Sequence, residues 1–238
     1  MNRQGKAYLV GAGPGAVDHL TVRAYQLLTE AEALVYDALI NPDILALVPE
    51  TCEVHAVGKR GGQPSVSQQE INQLLVTLCQ QGKQVVRLKS GDPFIFGRTT
   101  SEMQALQATG CPYEVVPGLS SALAAPLLAN IPLTDPVLGS NFAVLTAHDL
   151  TLHSWEALAQ MATLVILMGG KVLPEMSDRL ISHGKRPETP VAVIRWASQP
   201  QQQLWEGTLL NIAQRTKGEK LSPCIIVIGE VVGLRPYL

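Results

Sequence analysis

Short apolar runs that stop at glycine, proline or aspartate alternate along the first half of this chain with segments of helical spacing. Ala7–Val10 predicts a buried strand ending in Gly11-Ala12-Gly13-Pro14-Gly15. Leu20, Ala24, Leu27, Leu28 and Ala31 then recur on one helical face. Ala33–Tyr36 predicts the next strand, stopped at Asp37, and Pro42–Val48 suits a short helix. Val54–Val57 predicts a third strand, followed by the loop Gly58-Lys59-Arg60-Gly61-Gly62. Ser67 and Glu70 have capping-box spacing ahead of a helix with Ile71, Leu74, Leu75 and Leu78 on its apolar face, and Gly82 closes it. Val85–Leu88, a helix over Glu102–Ala108, and Tyr113–Val116 complete the series. Repeated strand-loop-helix units predict a mainly parallel sheet with right-handed crossovers.

The pattern changes after Pro117-Gly118. Ser120–Ala129 predicts a helix of small residues, and Ile131–Ser140 an irregular connection. Strands follow at Phe142–Thr146, Leu164–Met168, Val191–Trp196, Leu204–Thr208 and Ile225–Ile228. The last three crowd together as hairpins do, which predicts a mixed second sheet. The chain therefore divides into two α/β domains, residues 1–118 and 119–238, with a cleft between them of the kind that holds small ligands.

With 238 residues, 46% hydrophobic and 16% charged, the chain can fill the cores that this pattern asks for. The net charge of −2 supplies no general attraction to nucleic acid or an anionic membrane, so any anionic ligand must be met by local clusters of lysine and arginine. Cys52, Cys79, Cys111 and Cys224 lie far apart in apolar surroundings, as reduced cytoplasmic thiols do. The five histidines show no metal-ligand pattern, so no metal site is expected. The chain starts without a secretory apolar segment, and no apolar run approaches the roughly 18 residues of a membrane span.

Candidate chemistry gathers at the strand ends. Arg87–Arg98 reads RLKSGDPFIFGR, in which Ser90-Gly91-Asp92-Pro93 places bare backbone and one carboxylate where open α/β sheets bind ligands. Asp92 can accept from ribose hydroxyls or offset a cationic ligand, and Phe94-Ile95-Phe96 supplies three large apolar side chains in one loop. Gly11–Ala16 fits G-x-G-x-x-A with Asp37 closing the next strand, a dinucleotide signature. Pro14 removes one amide that would face a pyrophosphate, so the turn is equally open to another adenosyl ligand or to a structural role. Lys59 and Arg60 read as a solvated loop, an anion clamp, or a lysine set for proton transfer. Met168 and Ala197 end strands of the second domain. There is no G-x-S-x-G elbow and no Walker lysine.

Taken in order, VGAGPG, YDALINPDIL, GKRGGQPSVSQQEIN, RLKSGDPFIFGR, VVPGLSSALAAP, IPLTD, VILMGG, VIRWAS and IIVIGEVVGL resemble the S-adenosylmethionine-dependent tetrapyrrole methylases over nearly the whole chain. The resemblance implies two α/β domains, S-adenosyl-L-methionine bound in the cleft between them, S-adenosyl-L-homocysteine as product, and usually a homodimer. It implies methyl transfer to two pyrrole rings of uroporphyrinogen III, giving precorrin-2 by way of precorrin-1 for sirohaem and cobalamin synthesis. It also implies a stand-alone methylase, without the fused dehydrogenase/ferrochelatase portion of some members. A sister methylase acting on a later corrin precursor is the nearest alternative, and a nicotinamide oxidoreductase a remoter one.

Carried over residue by residue, the family's cofactor contacts fall on Pro14, Ser90, Gly91, Asp92, Ile95, Ser120, Ser121, Met168 and Ala197, with Cys224 as a further addition. Its proton acceptor falls on Asp37 and its proton donor on Lys59. The substrate's eight carboxylates make Arg60 and Arg98 the expected anchors. The chain departs from the family pattern at Ser90, Ala38, Ala147-His148 and Asp135-Pro136, the last standing where His-Arg is common.

Overall fold

In the computed structural model, which describes residues 4–58 and 66–238, the first half of the chain builds one parallel sheet. Its strands are β1 (Lys6–Gly11), β2 (Ala33–Tyr36), β3 (Glu53–Ala56), β4 (Gln84–Lys89) and β5 (Tyr113–Val116), in the order β3-β2-β4-β1-β5. A parallel strand covered on both faces needs apolar side chains on both. Alternate residues accordingly serve two cores. Leu9, Val35 and Val85 meet Ile71 and Leu75 of α3 (Gln68–Gln80) and Leu106 of α4 (Thr99–Ala108). Val10, Leu34, Val86 and Leu88 meet Ala24, Leu27 and Leu28 of α1 (Val22–Thr29) and Ile44 of α2 (Pro42–Leu45).

Two compact units divide the chain after Ser120. The second unit opens with α5 (Ser121–Leu128) and contains β6 (Phe142–Thr146), α6 (Trp155–Gln160), β7 (Thr163–Leu167), α7 (Leu173–Ser182), β8 (Pro190–Arg195), β9 (Gln203–Thr208), α8 (Ile212–Arg215) and β10 (Cys224–Ile228). Its sheet runs β6-β7-β10-β8-β9, with β6 and β7 parallel and every other neighbour antiparallel. Leu164, Ile166, Val193 and Ile226 face one core with Leu173, Met176 and Ile212, while Val165, Ile194 and Val227 face Ala122 and Ala125 of α5.

The second sheet is mixed, as the pattern predicts, but β10 is not the hairpin partner of β9. It lies between β7 and β8. Composition explains the placement: Cys224–Ile228 is apolar at every position and four of its five residues are buried, which only a central strand allows. β9, with Gln203 and Glu206, takes the edge. The sequence reading also leaves out α6, α7 and α8. In α7 the signal is present, since Leu173, Met176, Ser177 and Leu180 are its buried residues and Pro174 stands in its first turn. Within the irregular segment, the Asp135 carboxylate accepts from the amides of Val137 (2.8 Å) and Leu138 (2.9 Å), and the backbone of Asp135 pairs with Gly139. Asp135-Pro136 thereby makes a closed turn.

α3 begins on a capping box: Ser67 Oγ accepts from the Glu70 amide at 3.2 Å and the Glu70 carboxylate accepts from the Ser67 amide at 2.7 Å. Ser67→Ala is expected to lower stability by about 1 kcal/mol. A shift of the urea midpoint without a change in slope checks this.

Candidate active site

The strands of the first sheet run in one direction, so their carboxyl ends share one edge. Three adjacent turns, after β4, β1 and β5, meet there backbone to backbone. Gly13 and Gly91 exchange amide-carbonyl bonds of 3.2 and 3.0 Å, and the Ala12 amide donates to the Lys89 carbonyl at 2.8 Å. A Cβ on Gly11 would lie 2.6 Å from Gly118 Cα and from the Gly91 carbonyl oxygen. Gly13 and Gly91 both have φ of +70°, which glycine alone adopts freely.

Asp92 ties this joint together. Its Oδ1 accepts from the Phe94 amide at 2.8 Å, and its Oδ2 from the Gly118 amide at 3.3 Å. Pro14 and Ser90 lie half-buried in the same turns, and Phe94, Ile95 and Phe96 leave their apolar side chains exposed. Arg98 is exposed at the N-cap of α4 with a left-handed φ of 56°. Ser120 ends the first unit, half-buried. Lys59 and Arg60 lie outside the described residues.

Asp37 closes β2, beside β4, and its side chain is 32% exposed. Its Oδ1 accepts from Nη2 of Arg87 at 2.6 Å. Arg87 Nε in turn donates to Glu102 at 2.9 Å, and Lys89 Nζ donates to both Glu102 oxygens at 2.9 Å. The Arg87, Lys89 and Glu102 side chains are at most 3% exposed. Burial pulls the Arg87 pKa down, but Asp37 and Glu102 outweigh it and hold the guanidinium above its ordinary value. Burial and then the charge of Arg87 push the Lys89 pKa down, against the opposing pull of Glu102. The sequence pattern gives no role to Arg87, Lys89 or Glu102. The available signal was two cations at i and i+2 in a strand otherwise built of valine and leucine, since such charges demand a buried counter-ion.

In the second unit the antiparallel register puts the ends of β7 and β8 and the start of β10 on one edge, with Ile225 opposite Leu167 and Cys224 opposite Arg195. Met168, Ala197 and Cys224 are thereby brought together at that edge. Met168, Trp196 and Ser198 all have left-handed backbone, φ 59°, 52° and 70°. That conformation is uncommon for residues with a side chain and clusters at functional sites. It also ends β7 and β8 one residue before the expected strand ends. Met168 is 52% exposed. Ser121 starts α5 on the same unit, half-buried. Among the described residues no three His, Cys, Asp or Glu side chains gather as a metal site, and no helix is long and apolar enough to cross a membrane.

The sequence profile of the Tetrapyrrole (Corrin/Porphyrin) Methylases matches residues 6–213. The chain is 59% identical to the uroporphyrinogen-III C-methyltransferase of Synechococcus elongatus, over 98% of this chain and 96% of that one. It is 45% identical to the siroheme synthase of Tolumonas auensis over 98% of its own length, but spans only 51% of that relative. Among solved structures, the uroporphyrin-III C-methyl transferase of Thermus thermophilus complexed with S-adenyl homocysteine superposes with a TM-score of 0.83 at 36% identity, covering 97% of this chain and all of that one.

Burial pushes the Cys224 thiol up to about 12. Near neutral pH its thiolate is then about a thousandfold scarcer than that of an ordinary cysteine. Iodoacetamide should label Cys224 in the folded protein slower by about that factor than in urea, as peptide mass spectrometry would read. Equal rates would place the thiol in open solvent.

Proposed function

The chain belongs to the tetrapyrrole (corrin/porphyrin) methylases, and on that premise we propose that it transfers methyl groups from S-adenosyl-L-methionine to two pyrrole rings of uroporphyrinogen III, giving precorrin-2 through precorrin-1. This product serves sirohaem and cobalamin synthesis. The observation that carries the reading is the sheet edge beside the glycine joint, where Pro14, Ser90 and Asp92 lie half-buried next to the exposed Phe94, Ile95 and Phe96. Pro14 leaves the first turn one amide short of a pyrophosphate cradle, which suits an adenosyl ligand carrying a sulfonium instead.

S-Adenosyl-L-methionine supplies an activated methyl group on sulfur. A pyrrole carbon attacks that methyl, the new C–C bond forms as the S–C bond breaks, and the bonding pair stays on sulfur as neutral S-adenosyl-L-homocysteine. The ring is left cationic and sheds one proton. Asp37 faces that charge and accepts the proton. Arg87 already occupies Oδ1, so Oδ2 is the oxygen that receives it. Lys59 is the paired proton donor. Most of the acceleration comes from holding the reacting atoms in line away from water.

On the first unit the cofactor contacts are Pro14, Ser90, Gly91, Asp92, Ile95 and Ser120, and on the second Ser121, Met168 and Ala197, with Cys224 beside them. Arg60 and Arg98 anchor substrate carboxylates. The enzyme works in the cytoplasm as a homodimer. Its four described cysteines are free, which suits a reducing compartment. The exposed Leu123 and Leu127 of α5 line one apolar hollow with Leu133 and Leu238, a surface suited to a second copy. Light scattering should give twice the chain's 25.6 kDa.

Anaerobic incubation with both substrates should yield a product heavier by two methyl groups in mass spectrometry. Product with no added methyl, from protein that still binds S-adenosyl-L-homocysteine, would overturn the substrate assignment and leave the methylase. Asp92→Ala removes the carboxylate that holds two loop amides and should weaken S-adenosyl-L-homocysteine binding about tenfold in calorimetry. Asp37→Asn should lower kcat about a hundredfold or more with that affinity unchanged. A wild-type rate would remove Asp37 as proton acceptor.

A further inference from the structure

A strand inside a parallel sheet ordinarily buries apolar side chains on both faces. β4 does so at Val85, Val86 and Leu88, yet on the face of Val85 it then buries Arg87 and Lys89 under α4. Each buried ion costs several kcal/mol of desolvation, and apolar replacements for such groups are often neutral or stabilising. Stability alone therefore does not account for the row Lys89–Glu102–Arg87–Asp37.

The geometry of Arg87 does account for it. A guanidinium is a rigid planar fork. Here Nε is held by Glu102 at 2.9 Å, and Nη1 donates to the carbonyls of Val35 (3.4 Å) and Leu88 (3.2 Å). With those two nitrogens engaged, the direction of Nη2 is determined, and it ends 2.6 Å from Asp37 Oδ1. Glu102 is itself pinned, because Lys89 grips both of its oxygens and Gln68 Nε2 approaches at 3.5 Å. We propose that Glu102, clamped by Lys89, is a positioning residue that acts through Arg87 to set the Asp37 carboxylate against the substrate. The proposal rests on Asp37 as the proton acceptor and adds the buried residues that aim it.

Two charge-balanced pairs of substitutions separate positioning from packing. Glu102→Leu with Lys89→Met removes one anion and one cation together and leaves Arg87 without its Nε acceptor. Glu102→Gln with Lys89→Met removes the same charges but keeps that acceptor. The Leu pair should fold and bind S-adenosyl-L-homocysteine with unchanged affinity, while kcat falls about tenfold or more and KM for uroporphyrinogen III changes little. The Gln pair should recover most of that loss. In an Asp37→Asn background the Leu pair should have almost no further effect on kcat, since residues acting through one another are not additive.

Should the Leu pair fail to fold, Arg87→Lys gives the same test. It keeps the buried cation but cannot bridge Glu102 and Asp37 in a fixed plane, and its kcat should fall likewise with cofactor affinity intact. A wild-type kcat in the Leu pair or in Arg87→Lys, with Asp37→Asn impaired, would overturn the positioning role alone. Independent, multiplicative losses in the Asp37→Asn background would do the same. A wild-type kcat in Asp37→Asn itself would instead remove the proton-acceptor reading on which the proposal stands.

Discussion

The first unit depends on backbone meeting backbone. Three turns leave the adjacent strands β4, β1 and β5 and close to within the distance that a single methyl group would occupy. Atoms cannot share that space, so the contact exists only while Gly11 and Gly118 lack side chains, and Gly91 holds its turn at a φ of +70° that glycine adopts freely. Sheet register and turn geometry are thereby coupled: sliding one strand would pull its turn out of the joint. Asp92 reinforces the coupling, with one oxygen on its own turn and the other on the turn after β5. The carboxylate that the sequence suggests as a ligand contact is thus also a brace for the loop that presents it.

The buried charges obey the opposite logic. Glycine turns work because nothing is there, whereas Arg87, Lys89 and Glu102 work because each satisfies another in a place that water does not reach. A low-dielectric setting strengthens such bonds and makes an unpaired member costly. The row is consequently stiff at its buried end and free only at Asp37, its solvent-facing terminus. This gives one carboxylate a fixed address without building it into the core.

Much of the first unit is legible in the sequence because its physics is local. The Ser67/Glu70 capping box, the glycine after α3 and the unbroken apolar strands all declare themselves within a few residues. The glycine turns show as spacing, but their mutual contact depends on the strand order, which no local pattern carries. The link from Arg87 to Glu102 is hidden for the same reason, since α4 must first lie over β4. In the second unit the position of β10 follows from its composition weighed against that of β9, a comparison between strands and not a property of either. The early ends of β7 and β8 were invisible, because Met168 and Trp196 are ordinary strand formers that the tertiary fold twists out of the sheet.

Those two residues, with Ser198, carry a cost that sets how this protein can evolve. Each left-handed side-chain residue forfeits about 1 kcal/mol that glycine would not. A chain drifting toward greater thermal tolerance would find glycine at these positions among its easiest gains. Every such gain would erase a thioether, an indole or a hydroxyl from the rim of the second sheet. Persistence of the strained residues in a heat-adapted descendant would therefore mark the side chains that its function refuses to surrender.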